Sequence, residues 1–165
     1  MTTPIVLCDL DSTLADTRHR HHRSPHNDPE ATWENYGALC ADDTLIEGTA
    51  ALLRLLHRNG HSIHILSGRG VNHQSATVTW LHTHRVPFDQ IRLHCKGDLE
   101  DLVEYKVGYC RELQRKGRKV VLAIEDWPTI CEAFEAQGVP AVCVNPRYRD
   151  DPMAYYESQQ RAQRV

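Results

Sequence analysis

Short apolar runs alternate along this chain with longer stretches in which apolar residues recur every three or four positions. Ile5, Val6, Leu7 and Cys8 form the first run. It is apolar on both faces and too short for a helix, which predicts a buried parallel strand over 5–8. Residues 15–47 break the pattern. They are polar and irregular, with one short helix predicted over 31–40 that carries Trp33 and Tyr36. A helix over 48–59 follows, with Leu52, Leu55 and Leu56 on its apolar stripe and Gly60 as its stop. Strands are predicted over 61–66, 91–94, 120–124 and 141–144. Between them lie helices over 72–84, from Asp98 or Asp101 to Lys116, and over 128–138, where Pro128 suits the first helical position. A polar terminal helix is predicted over 152–164. Strands and helices alternating with short connections predict the α/β class: one domain over 1–165, built on a doubly wound, Rossmann-like parallel sheet. Residues 16–47 are its small cap or lid insertion, since a long excursion directly after a strand end is a place for a substrate loop.

Composition narrows the class without naming a function. A hydrophobic fraction of 41% and a charged fraction of 25% are ordinary for a globular protein. No long apolar run, signal-peptide pattern or lipidation motif occurs, so the chain reads as soluble and cytoplasmic, with no membrane partner. Its six cysteines are scattered, with no CxxC pair. Cys8, Cys95 and Cys143 fall in strand-like segments and are expected to be small buried hydrophobes in a reducing compartment. A net charge of −3 gives no global attraction to nucleic acid, so any polyanion surface would be local. The run Arg18-His19-Arg20-His21-His22-Arg23 is either such a local field or a solvated loop. The other basic cluster, 111–119, lies at the end of its helix away from the strand carboxyl ends and reads as a solvated face.

In a doubly wound sheet, ligands collect at the carboxyl ends of the strands. The first strand ends in Asp9-Leu10-Asp11-Ser12-Thr13. Residues two apart in an extended chain point the same way, so Asp9 and Asp11 are placed to share a small space. Their repulsion would be relieved by a cation or a retained proton; otherwise they form a solvated acidic turn. The second strand leads into Ser67-Gly68-Arg69-Gly70, either a plain turn or an anion cradle of hydroxyl, backbone N–H groups and guanidinium. The fourth strand ends in Glu125-Asp126, which with the first pair makes a hard-oxygen set suited to magnesium. Lys106 interrupts the apolar stripe Val103, Cys110, Leu113. It either snorkels at the stripe's edge or carries its ammonium inward to the acids.

Acid pair, hydroxyl, lysine and second acid pair, in that order on successive βα units, resemble the haloacid dehalogenase superfamily of phosphohydrolases. A narrower resemblance is to the 3′-phosphatase domain of bacteriophage polynucleotide kinase–phosphatases. The shared features are the SGR turn, Arg20 eleven residues after Asp9, the small insertion, and Gly97-Asp98 eight residues before Lys106. Ser12 stands for the usual glycine, Glu125 for an aspartate and Glu100 for an arginine. No P-loop is present, so no kinase half accompanies these motifs. The resemblance implies a Mg2+-dependent phosphomonoesterase with Asp9 as nucleophile and Asp11 as general acid and base. It implies metal ligation by Asp9, the Asp11 backbone carbonyl and Asp126, with Glu125 direct or through water. Ser67, Gly68 and Lys106 would hold the phosphoryl group, Arg69 and Arg20 the phosphate or the substrate beyond it, and Thr13 the loop or substrate. The implied substrate is a nucleic-acid 3′-phosphate, with free 5′- or 3′-nucleotides as the alternative and a receiver-like phospho-acceptor as a remote one. A homo-oligomer and a separate kinase or ligase partner are compatible with this reading.

Overall fold

The computed structural model describes residues 2–25, 27–94 and 99–144. Cys95, the Gly97-Asp98 pair and the terminal helix expected over 152–164 lie outside the described residues. Strand β1 (Ile5–Cys8) is central in a five-stranded sheet. A two-stranded ribbon of β2 (Ala15–Asp16) and β3 (Thr44–Leu45) follows it in sequence. The remaining strands of the large sheet are β4 (Ser62–Ser67), β5 (Gln90–Leu93), β6 (Val120–Glu125) and β7 (Ala141–Cys143), in the order β5-β4-β1-β6-β7 and all parallel. The chain therefore winds outward on one side of β1 and then on the other. The switch point lies between β1 and β6, where a crevice opens at the strand carboxyl ends.

The alternation of β1 builds both halves of the core. Ile5 and Leu7 pack with Leu102, Val107, Cys110, Ile130 and Phe134 on one face, and Val6 and Cys8 with Leu53, Ile63, Ile65, Trp80 and Leu81 on the other. The first face is covered by α4 (Leu99–Arg115) and α5 (Pro128–Glu135), whose first residue is the expected proline. The second is covered by α2 (Glu47–Arg58) and α3 (Gln74–Thr83). Cys8 is buried as expected, but Cys143 is exposed: β7 is an edge strand, and its neighbour Val142 is 40% exposed as well.

The insertion is more ordered than its polar pattern suggests. The antiparallel ribbon pairs Ala15 with Leu45 and Asp16 with Thr44, and the chain from 17 to 43 is an excursion from that stem. It contains a 3-10 helix over Arg18–Arg23, helix α1 (Trp33–Ala38) and a short 3-10 turn over Cys40–Asp42. Thr32 caps α1 by accepting from Asn35 N at 3.1 Å. Gly37 lies against the His73 ring, where a Cβ would come within 2.4 Å of Nε2, so only glycine lets α1 approach the start of α3 this closely. Glu34 accepts from Asn72 Nδ2 and lies 3.5 Å from His73 Nε2 across the same contact.

Among the described residues, two that are not glycine adopt left-handed backbone, Ser12 at φ +67° and Arg85 at φ +53°. Arg85 closes α3, with its own N–H bonded to His82 O and that of Val86 to Leu81 O, a position that favours glycine. Its side chain is exposed. Arg85→Gly should therefore raise unfolding free energy by about 0.5–1 kcal/mol, read as a higher melting temperature; a lower one would show that the arginine side chain matters there.

Candidate active site

The opening acids are placed by the way β1 ends. Asp9 N donates to Ile124 O at 2.9 Å, which carries the ladder one residue past the strand. Leu10 O then accepts from Leu14 N and Ala15 N, closing a tight turn over residues 10–15. Ser12 sits in this turn at its left-handed φ. The difficulty of serine in place of glycine is therefore backbone conformation rather than size; its Oγ lies 2.9 Å from Thr17 Oγ1, a bond glycine would lack. Thr13 is fully buried, and its hydroxyl has no hydrogen-bond partner among the described residues.

Asp9 and Asp11 turn to different partners. Asp9 is buried, and its Oδ1 accepts from Lys106 Nζ at 2.7 Å. The same ammonium donates to Glu125 Oε2 at 2.6 Å. Lys106 is 1% exposed, so the break in the α4 stripe reaches inward and does not snorkel. Burial alone would lower its pKa, but Asp9 and Glu125 outweigh that and raise it, keeping the ammonium charged. Glu125 is pushed up to about 7, by burial first and then by Asp9, against the opposing pull of Lys106. Asp126 is raised well above the usual carboxylate range by burial and by the Asp9 and Glu125 charges.

Asp9, Glu125 and Asp126 offer oxygen atoms all within 4.8 Å of one another. Three carboxylates against one ammonium leave a local excess of negative charge, and Asp9 Oδ2 is a buried acceptor with no partner among the described residues. An all-oxygen set with surplus negative charge and an unused acceptor fits a magnesium ion.

On the other side of Asp9, Asp11 meets two arginines. Arg69 Nε lies 3.1 and 3.2 Å from its two carboxylate oxygens, and Arg69 Nη2 donates to Oδ1 at 2.7 Å. Arg20 Nη2 donates to the same Oδ1 at 2.6 Å. Burial would raise the Asp11 pKa, but the two guanidiniums hold it far below the usual carboxylate range. Both arginines are buried, so Arg20 adds nothing to a surface field; of its run, Arg18 pairs with Asp16 in solvent. Asp43, at the far end of the insertion, is the residue that sequence reasoning missed. It is 3% exposed and accepts from Arg20 Nε and Nη2 at 2.6 and 2.7 Å and from Arg69 Nη2 at 2.6 Å. The only signal for it was arithmetic: two arginines expected beside one free acid call for a second.

Ser67 is fully buried at the end of β4, its Oγ accepting from Arg69 N at 3.2 Å, with Gly68 half-buried in the turn between them. Arg69 Nη1 is fixed by Thr77 Oγ1 on α3 at 3.2 Å. The basic cluster over 111–119 lies at the opposite end of the molecule, where Lys119 O accepts from Ile5 N at the start of β1, and its Arg111 and Lys116 pair with Glu104 and Glu112.

A DxDxT strand end, a hydroxyl, a lysine and an acid pair gathered at the switch point of this sheet define a haloacid dehalogenase-type phosphatase. Solved structures share the fold. Two structures of the Pnkp1/Rnl/Hen1 complex, one described as an RNA repair complex, match at 21% identity with TM-scores of 0.68 and 0.67, covering 87% of this chain and 46% and 43% of the matched chains. CbbY from Rhodobacter sphaeroides in complex with phosphate matches at 17% identity and TM-score 0.61, over 90% of this chain and 88% of that one. The class C acid phosphatase from Bacillus anthracis matches at 20% identity and TM-score 0.61, over 89% and 68%. The chain thus spans less than half the length of the two chains from the Pnkp1/Rnl/Hen1 complex. No curated protein sequence matches it. Residues 3–147 match the family described as the polynucleotide kinase PNKP phosphatase domain, and the chain belongs to that family. Among the described residues no helix is long and apolar enough to cross a membrane.

The raised carboxyls give a stability test. Glu125 and Asp126 bind protons in the folded chain at a pH where the unfolded chain has released them, so metal-free stability falls as pH rises through 7. His64, held below the usual imidazole range by burial, acts in the opposite sense below its unfolded pKa, which confines the test to pH above about 6.5. In a chelator, the melting temperature should fall by about 3 °C between about pH 6.5 and about pH 8. Added Mg2+ should raise it more at the higher pH. A melting temperature indifferent to Mg2+ at both would remove the metal site.

Proposed function

We propose that this chain is a Mg2+-dependent phosphomonoesterase that acts through an aspartyl phosphate on the 3′-phosphate of a nucleic-acid end. The observation that carries the chemistry is Asp9: buried, bonded to Lys106 through one oxygen and unpartnered among the described residues at the other. An oxygen without a hydrogen-bond donor keeps its lone pairs available for attack in line on phosphorus. As the Asp9–phosphorus bond forms, the bond to the leaving alcohol breaks, and water then cleaves the acyl phosphate to release inorganic phosphate.

Asp11 gives a proton to the leaving oxygen and takes one from the attacking water. Held between Arg20 and Arg69 it is a carboxylate, ready for the second duty; the first requires the guanidiniums to be shared with the incoming phosphate. Ser67, Gly68 and Lys106 hold the phosphoryl oxygens, and Arg69 and Arg20 the phosphate or the substrate beyond it. Thr13, with its hydroxyl turned inward, keeps the loop in place. Bound Mg2+ would be held by Asp9, Asp126 and the Asp11 backbone carbonyl, with Glu125 direct or through water, and would lower the repulsion between the carboxylate and the phosphate dianion. The insertion over 16–47 is the cap of this site.

The nucleic-acid end is supported by the family and by the solved RNA repair complex that the fold resembles. A separate ligase or kinase partner is part of the same proposal. The burial of Arg20 favours a second reading, hydrolysis of free 5′- or 3′-nucleotides, because it leaves less positive surface for a strand.

Metal-dependent release of p-nitrophenol from p-nitrophenyl phosphate should fall by about a hundredfold or more in Asp9→Asn; turnover like the wild type would sink the nucleophile. A 3′-phosphorylated oligonucleotide should be a better substrate than 3′-dTMP or 5′-dTMP. Equal or faster turnover of the mononucleotides would transfer the proposal to the second reading.

A further inference from the structure

Two buried guanidiniums lie side by side in this protein. Nη2 of Arg20 and Nη2 of Arg69 both donate to Asp11 Oδ1, at 2.6 and 2.7 Å, and both donate to Asp43 Oδ2, at 2.7 and 2.6 Å. Each arginine is forked onto one acid and touches the other: Arg20 grips Asp43 through Nε and Nη2, and Arg69 grips Asp11 in the same way. Like charges this close repel, so the arrangement needs an acid on both sides. The acids are not equivalent. The Asp11 side chain is 25% exposed, whereas the side chains of Asp43, Arg20 and Arg69 are at most 1% exposed. Asp11 thus faces the crevice and Asp43 backs the pair from inside.

Asp43 is itself held from three directions. Its Oδ1 is bonded to His19 Nε2 at 2.9 Å, its backbone carbonyl accepts from Trp80 Nε1 on α3 at 2.7 Å, and β3 follows directly. Arg20 is braced further by Tyr36, whose ring lies 4.1 Å from the guanidinium carbon and whose carbonyl accepts from Nη1 at 3.2 Å. The backing is therefore rigid, while the front acid sits on a turn at the crevice.

We propose that Asp43 is a positioning residue that keeps Arg20 and Arg69 together as a preformed clamp for a phosphate group. The pair already holds one anionic oxygen, Asp11 Oδ1, between two Nη2 donors, and a phosphate oxygen is an equivalent acceptor. Asp43 makes this clamp stable without occupying it, because it meets the guanidiniums on the side away from the crevice. It also joins two parts of the chain that supply one arginine each, the insertion and the turn after β4. The inference rests on the phosphomonoesterase reading above, but its measurement does not.

The test is inorganic phosphate binding to the Mg2+-loaded full chain by calorimetry, with p-nitrophenyl phosphate kinetics in parallel. Asp43→Asn should weaken phosphate by about tenfold or more, the loss expected of a charge-assisted bond. The KM for p-nitrophenyl phosphate should rise by a similar factor, with a smaller change in kcat. Mg2+ affinity should stay within about twofold, because Asp43 is outside the carboxylate cluster. Asp43→Glu keeps the charge and moves it by one methylene. It should fold with a melting temperature near the wild type and still bind phosphate several-fold more weakly, which decides the matter should the asparagine variant not fold. Wild-type phosphate affinity in either folded variant, or parallel losses of Mg2+ and phosphate, overturns the clamp. A wild type that binds phosphate but cleaves no phosphomonoester, with weakened binding in the variants, removes the proposed function and leaves the clamp standing. A wild type that binds no phosphate removes the clamp.

Discussion

Lys106 between Asp9 and Glu125 is the interaction on which the site depends. A carboxylate placed at the end of a central strand, with two more on the next strand, cannot remain ionised without a cation inside the protein. Breaking such a buried pair from one side typically costs about 3–5 kcal/mol. The ammonium is delivered by α4, which is held by Leu102, Val107, Cys110 and Leu113 packing on the sheet. The apolar face of that helix thus sets the position of the one charge that the acids on its side share.

The same constraint explains why the first two acids separate. Two residues apart on one strand end, they would repel if they shared a space. The fold instead gives each its own cations: Lys106 for Asp9, and the arginine pair for Asp11. One set is built by the sheet and α4, the other by the insertion and the turn after β4. The two sets of cations are in this way supported by different parts of the chain, and they meet over residues 9–11.

Much of the fold was legible because β1, β6 and β7 are short, mainly apolar runs and β4 and β5 carry apolar residues at alternate positions, and each of the longer helices after the insertion carries a stripe or a stop. The strand-end residues were legible for the same reason: once the alternation is read, topology says which residues must converge. Lys106 was readable as an anomaly in its stripe. The ribbon was not, since two-residue strands have no period to detect. Arg20 was singled out through the family resemblance, while its run read equally as a local field or a solvated loop; its burial depends on Asp43, 23 residues away in sequence, which local pattern cannot pair with it. Cys143 looked buried because an edge strand has the same composition as an inner one, and only the strand order tells them apart.

The two-stranded stem has an evolutionary reading. Because Ala15 and Leu45 are paired neighbours, the segment between them begins and ends at one place, and the sheet is indifferent to how long the detour is. Doubling a loop costs only about 0.6 kcal/mol in closure entropy. Length in this segment is therefore nearly free to drift between relatives, while its charge is not. Any replacement must still lower a buried cation beside Asp11 and supply the acid that balances it, so the trace such exchanges should leave is an arginine and an aspartate gained or lost together at the two ends of a segment whose length varies.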